Sequence, residues 1–570
     1  MSVHLPNIHL TMRHHRHKTV PSFLALWMAL YCLANVVSAQ TIPDAGQSLR
    51  QLQQPLQAPQ LNPRLVIPSA PSGAAPSETP AGGPRVTLKS ITIRGNTVFD
   101  DRTLQEVAGL IPGSSFDFKG LEAVARSIAS FYHLNGFPFA SAALPAQDLK
   151  DGVLQIEVIE GRYGKVEASG AFTAEQGGRF LKHIKPGDVI RGDILERAAL
   201  IIDDLPMISV SPAIRPGGAF GTGDLTIDIT QDAHWSGEVG LDNLGNRFTG
   251  EYRTRASFNG YSKFIFGDAI RFSGIRTNEN LTLGSIEYEA PLNGEGLRAQ
   301  ASAARTSYQL ARDYAYLGAS GIADVLSARV SYPVFRTQRQ NISVSIGYIT
   351  KHLRDRYGFV GANNRKTTYS TPVSVYFDSR DRFMGGGLTY GNVVFTGNGR
   401  LSLDDGLLAT DALTSRSAGH FSRVNIELAR IQTLPANLSL FGRIQVQTTD
   451  NNLDSSEKFN VGGLYGVRAY PMGEGLGDRG WFAQAELRYK FDNFTGFLLT
   501  DGGFARLNAH PWDVVLKNTS HLRGSGFGAR HHQDLGLNWE AVVAWQTADA
   551  PVSDRNNRQP RVWAFMNYKF

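Results

Sequence analysis

A two-residue alternation of apolar and polar side chains recurs through residues 231–570 and limits the fold more than any other feature. In Asn341–Ile349, Ile342, Val344, Ile346 and Tyr348 share one parity. In Arg423–Ala429, Val424, Ile426 and Leu428 alternate with Arg423, Asn425 and Glu427. In Tyr252–Phe258, Tyr252, Thr254, Ala256 and Phe258 oppose Arg253, Arg255 and Ser257. Period two is the period of a strand. Charges confined to one parity suit a wall with lipid outside and a watery lumen inside. Beyond the N-terminus no apolar run reaches about 18 residues, so helical membrane spans are not expected. The 59 glycines, 31 Phe, 19 Tyr and 7 Trp are dispersed rather than run together, as in a membrane barrel. At roughly 10 residues per strand and about as many per connection, residues 231–570 close with about 16 antiparallel strands. The final strand carries Val562, Ala564, Met566, Tyr568 and Phe570 on one parity.

One stretch interrupts the alternation. Phe459–Trp481 (FNVGGLYGVRAYPMGEGLGDRGW) lies between the strand-like runs Asn437–Thr448 and Trp481–Phe491. Its length and its glycines mark a loop with a task, since connections this long are usually functional or disordered. At its centre stand Val467, Arg468, Ala469 and Tyr470. We expect this loop to fold back into the barrel.

The N-terminus reads as a targeting leader, 1–39. Arg13, Arg16 and Lys18 precede the apolar run Phe23–Val37, and Val37-Ser38-Ala39 is a small-x-small cleavage pattern. An uncleaved anchor helix is the alternative, for which the run is short. His14, His15 and His17 add weak basicity to the leader. The one cysteine, Cys32, lies inside the leader, so a cleaved chain has no thiol chemistry, disulfide or cysteine-bound metal. The formal net charge is +6, half of it carried by Arg13, Arg16 and Lys18, which gives no reason to expect nucleic acid.

Residues 40–84 read as a possible plug helix and a proline-rich linker. Asp44 is placed to cap a helix bearing Leu49, Leu52 and Leu56, ended by Pro55. A wholly disordered 40–84 fits the composition equally. Residues 85–161 then follow the order β-α-α-β-β: a strand over Val86–Ile93, helices capped by Asp100 or Asp101 and by Asp117, a stop at Asn135-Gly136, and strands over Pro138–Leu144 and Val153–Ile159. Residues 162–230 repeat the scheme, and repetition of a whole unit weighs more than either copy alone. The expected fold is therefore mixed: two α+β domains, 85–161 and 162–230, then a transmembrane antiparallel β-barrel, 231–570, with a lid loop at 459–481.

At this point the residues resemble a known family. Gly95-Asn96-Thr97-Val98-Phe99, the run Gly152–Gly161 (GVLQIEVIEG), and Leu195-Glu196-Arg197 followed by Asp204-Leu205-Pro206 resemble POTRA domains. Their arrangement resembles the POTRA pair of two-partner secretion transporters, the TpsB family, in the POTRA-plus-barrel superfamily. Family members usually have Asn and Gly where this chain has Asp203 and Met207. The resemblance implies about sixteen strands. It also implies that the arginine of a V-R-G-Y loop motif, here Arg468 with Ala469 in place of Gly, pairs with the aspartate of a D-x-G strand motif, here Asp501 with Gly503. Left to the residues alone, Arg468 also reads as a solvated loop side chain. An aromatic C-terminus, here Tyr568 and Phe570, resembles the signal by which the outer-membrane assembly machinery recognises barrels.

No enzyme motif competes with this reading. Neither G-x-S-x-G, H-E-x-x-H nor G-x-x-x-x-G-K-[ST] occurs, His531-His532 reads as a solvated turn, and Asp404-Asp405 as a polar loop. No cofactor and no metal are expected. The resemblance implies an outer-membrane pore, with POTRA domains in the periplasm, that secretes an unfolded partner exoprotein of the haemolysin or adhesin type. Capture would run by β-augmentation on the edge Pro138–Leu144, with Phe137, Phe139, Ala140, Ala142 and Leu144 at the contact. Lipid surrounds such a barrel, and one closed chain needs no second copy. An assembly factor that inserts other barrels is the alternative function, and a passive porin the simplest one.

Overall fold

A computed structural model describes residues 43–50, 58–59, 82–170, 174–512, 517–554 and 557–570. The expected leader, Leu52, Pro55, Leu56 and most of the linker lie outside these residues.

The first α+β unit is held by local rules visible in its residues. Asp100 accepts a hydrogen bond from Thr103 N (2.7 Å) and starts the helix Asp101–Ala108. Asp117 accepts one from Gly120 N (2.9 Å) and starts Phe118–Leu134, which ends at Asn135 with Gly136 at φ 91°. Leu104, Leu121, Val124, Ile128 and Tyr132 on these helices pack on Ile91, Ile93, Leu154, Ile156 and Val158. Those last residues belong to a three-stranded sheet in which Val153–Ile159 lies between Ser90–Arg94, parallel, and Ser141–Ala143, antiparallel.

Two strands differ from expectation. Val86–Ile93 divides into Val86–Thr87, which pairs with Ser115–Phe116, and Ser90–Arg94. Pro138–Leu144 shrinks to Ser141–Ala143, because Pro138 has no N–H to donate and Ala140 N closes a turn onto Phe137 O (3.1 Å).

The family-like residues of this unit meet at one carboxylate. Glu160 accepts from Val98 N (2.8 Å) and Tyr132 OH (3.0 Å), bonds Thr97, and pairs with Arg162 (2.9 Å). Burial raises its pKa, but these bonds outweigh burial and hold the carboxyl below the ordinary 4.5. A depressed folded pKa means the contribution is complete above that value and drains as pH falls through the folded one. Hydrogen exchange on the full chain should therefore show the first unit loosening as the pH falls below 4.5. Glu160→Gln should remove that acid dependence; an unchanged profile would contradict the assignment.

The second unit repeats the topology. Arg162–Gly170 runs parallel to Thr222–Gln231, which pairs antiparallel with Ile208–Pro216, under the helix Gly192–Asp203. Met207 sits at φ 56°, where a non-glycine residue is held at a cost of about 1 kcal/mol, so the family's glycine has a conformational reason there. Leu195 is buried in the unit's own core, while Glu196, Arg197, Asp204 and Leu205 face the barrel. Asp204 takes Arg336 through both carboxylate oxygens (2.6 and 2.7 Å), Arg197 donates to Pro333 O (2.7 Å), Glu196 accepts from Gln338 N (2.8 Å), and Leu205 lies against Gly267.

The barrel is a closed ring of 16 antiparallel strands from Trp235–Asp242 to Arg561–Lys569. Ala362–Ser370 and Pro372–Asp381 are two halves of one strand, since both pair with Gln340–Tyr357 and both with Gly387–Leu403. The break falls at Pro372, which has no N–H for the ladder. Ile342, Val344, Ile346 and Tyr348 are all exposed on the outer wall. Inward charges meet in pairs such as Arg253 with Asp242 (2.6 Å) and Arg443 with Glu427 (2.7 Å). The closing register runs from Phe565↔Asp242 to Lys569↔Glu238, and Tyr568 and Phe570 face outward beside it. Two polar pairs read differently in three dimensions. Asp404 caps a helix, Asp405–Leu413, and His531 ends the strand Thr519–His531 with its ring on Phe494 (4.7 Å).

Candidate functional site in the barrel lumen

The long loop enters the lumen as a pinched hairpin. Phe459–Asn460 pairs with Leu476–Gly477 at its neck, and Lys458 reaches Asp478 (2.6 Å) beside it. The apolar residues Phe459, Val461, Leu464, Val467, Ala469, Tyr470 and Met472 then pack on Phe482, Phe497, Leu499, Val542 and Trp563 of the inner wall. Burying that many apolar side chains gives the hairpin a core of its own inside the barrel.

At the tip, Arg468 meets the wall. Its Nε and Nη2 bond the two oxygens of Asp501 (2.8 and 2.7 Å), and its backbone N donates to the same carboxylate (3.1 Å). Its Nη1 bonds Glu486, which Arg488 (2.7 Å) and Arg530 (3.0 Å) also reach. Trp563 Nε1 donates to Arg468 O (2.6 Å). Arg468, Asp501 and Glu486 are only 2%, 4% and 4% exposed, so the charges are neutralised by one another rather than by water. Ala469 does not adopt positive φ; its carbonyl accepts from Gln546 (3.1 Å) and its methyl lies over Gly524. Tyr470 OH donates to Asp549 O (2.7 Å). A side chain at Gly503 would stand 2.5 Å from Val461, so this glycine lets the hairpin approach.

Glu486 escaped the sequence reading. Its signal was available in outline: Glu486, Asp501 and Arg530 fall on the inward parity of three successive strands.

A second segment occupies the lumen. The helix Ala45–Arg50 starts at Asp44, which accepts from Gln47 N (2.9 Å), Lys366 (2.8 Å) and Ser455 (2.6 Å). Lys366 also holds Asp454 (2.8 Å), and Asp355 accepts from Ala45 N (2.9 Å) and Tyr308 OH (2.6 Å). Asp44 thus joins the helix both to the wall and to the segment leading into the hairpin.

The expected capture edge is present but differently furnished. Ser141–Ala143 is an outer strand of its sheet, yet Phe137 and Ala140 are buried in their own core and Phe139 packs against the second unit. Ala142 and Leu144 are half-buried. What the edge offers is backbone, together with little side chain.

Comparison with known proteins decides the family. The model for haemolysin secretion/activation proteins ShlB/FhaC/HecB matches residues 221–531, and that for POTRA domains of the ShlB type matches residues 86–161. The chain belongs to this family. It is 26% identical to the heme/hemopexin transporter protein HuxB of Haemophilus influenzae, over 87% of this chain and 90% of that one. It is 23% identical to the outer membrane transporter CdiB of Dickeya dadantii, over 74% and 76%. The solved structure of CdiB from Escherichia coli superimposes with a TM-score of 0.70 at 19% identity, covering 98% of this chain and all of that one. As a haemolysin secretion/activation family member the chain is an outer-membrane transporter for two-partner secretion, with POTRA structure in the periplasm. The hairpin and the connections 243–252 and 404–418 therefore lie at the extracellular end.

Proposed function

We propose that the chain captures one unfolded, β-rich exoprotein of the haemolysin or adhesin type in the periplasm and threads it through the lumen. Both α+β units act as POTRA domains, and a client segment adds to the backbone edge at Ser141–Ala143. The helix Ala45–Arg50 acts as a plug that withdraws, while the hairpin stays braced through Arg468. No nucleotide motif is present in the sequence, so client folding outside the cell supplies the drive. Tyr568 and Phe570 serve recognition by the membrane's barrel-assembly machinery, and a single chain suffices. The observation that carries this reading is the lumen itself, occupied by two segments that are each latched by ion pairs, partly buried at the helix and buried at the hairpin.

Deleting the gene tests it. One large exoprotein should vanish from the medium while other outer-membrane barrels keep their levels. A general loss of barrels would instead support an assembly factor.

A further inference from the structure

The outer wall of the barrel carries a feature that lipid chains would not tolerate. On Gln340–Tyr357, the exposed parity that presents Ile342, Val344, Ile346 and Tyr348 continues upward into His352, Arg354 and Arg356. Lys351, Leu353 and Asp355 between them are buried inward, so the arginines point away from the lumen. Neighbouring strands do the same. Arg305 follows the outward Ala301 and Ala303, Arg365 stands directly opposite Arg354, and Arg400 stands opposite the outward Tyr369. The outward residues Leu326 and Tyr348, both more than half exposed, mark the top of the apolar band just below.

Five arginines, Arg305, Arg354, Arg356, Arg365 and Arg400, are thus gathered on the extracellular rim of one side of the wall, two of them on one carboxylate. That carboxylate, Asp324, is shared by Arg305 (2.5 Å) and Arg354 (2.9 Å). Asp404 is near, but its oxygens are taken by the backbone N–H groups of Arg365 (2.8 Å) and Leu407 (3.0 Å). Like charges directly across a ladder repel. Asp324 offsets that repulsion on the Arg354 side, and an anion lying between the Arg354 and Arg365 guanidinium groups would offset it on both. Arginine binds phosphate bidentately, and a basic cluster at headgroup height, next to an apolar wall, matches a lipid whose phosphates sit above its acyl chains.

We propose that this face binds the phosphate groups of the phosphorylated glycolipid in the outer leaflet, the lipid A class, and so fixes the barrel's height and lipid neighbours on the side spanned by Arg298–Gln309 through Gly387–Leu403. The proposal rests on the outer-membrane assignment. It separates from it experimentally, because a barrel that folds and inserts yet ignores phosphorylated lipid sinks only the former.

The test uses the full chain, purified in detergent, with bis-phosphorylated lipid A, its dephosphorylated analogue, and inorganic phosphate as probes, and native mass spectrometry as the readout. The wild type should retain bis-phosphorylated lipid A and not the dephosphorylated form. Inorganic phosphate should compete poorly, since it lacks the acyl chains. Arg354→Ser with Arg365→Ser should weaken retention about tenfold or more. Asp324→Asn, which frees Arg305 and Arg354, should strengthen it. Heat-modifiable gel mobility checks that each barrel is folded. Equal retention by the folded double variant, equal binding of the dephosphorylated lipid, or full competition by inorganic phosphate would each overturn the proposal.

Discussion

Arg468→Ala should unseat the hairpin and stop export. The substitution strands the buried carboxylate of Asp501, while Glu486 keeps Arg488 and Arg530, and removing one partner of a buried pair costs about 3–5 kcal/mol. Asp501→Ala should be milder. Glu486 still holds the guanidinium, and the loss is closer to a charged hydrogen bond, about 1.5–3 kcal/mol. Combining the two substitutions should be no worse than Arg468→Ala alone, because it also takes away a stranded carboxylate. Protease nicking of the hairpin on intact cells reports seating, and exoprotein in the medium reports export. Equal effects of the two single variants, or fully additive losses in the double, would contradict the three-membered arrangement.

Gly524→Ala should have a comparable effect for a different reason. A methyl group at Gly524 would stand 2.4 Å from the Ala469 Cβ and 3.0 Å from Trp545 O, closer than carbon atoms in a packed core allow. Overpacking of this kind costs about 1–3 kcal/mol and would push the hairpin tip off the wall, away from Asp501. Ala469→Gly opens the space again. The pair Gly524→Ala with Ala469→Gly should therefore recover seating and export that Gly524→Ala loses, while Ala469→Gly alone should change little. A double variant as defective as Gly524→Ala would mean that Trp545 O, not Ala469, sets the limit.

These two sites show what can be read from residues and what cannot. Period-two alternation with charges on one parity was enough for a barrel, because lipid on one face leaves no other place for Arg253 or Glu427. Caps at Asp100 and Asp117 and a stop at Asn135-Gly136 were legible because a helix end is satisfied within a few residues. Arg468 with Asp501 was legible only through the resemblance, as a motif pair. Glu486 was hidden because an inward glutamate on an alternating strand looks like any lumen residue. Ala469 is intelligible only beside Gly524, and that proximity depends on how the hairpin lies in the lumen. The shortening of Pro138–Leu144 to Ser141–Ala143 came from Pro138 and the turn after it, a local rule that the alternation of the neighbours had masked.

The withdrawal of Ala45–Arg50 from the lumen is the step on which the transport account depends, and a reversible lock tests it most directly. Asp44 and Ser455 touch side chain to side chain (2.6 Å), and the one natural cysteine, Cys32, lies in the expected leader. Asp44→Cys with Ser455→Cys therefore places two thiols within reach of a disulfide between the helix and the segment leading into the hairpin. Export measured in one culture before and after adding reductant makes the variant its own control. The account predicts no exoprotein in the medium while the bond is closed and recovery once it is reduced. Undiminished export from cells in which the cross-link is complete would show that the client does not need the helix to leave.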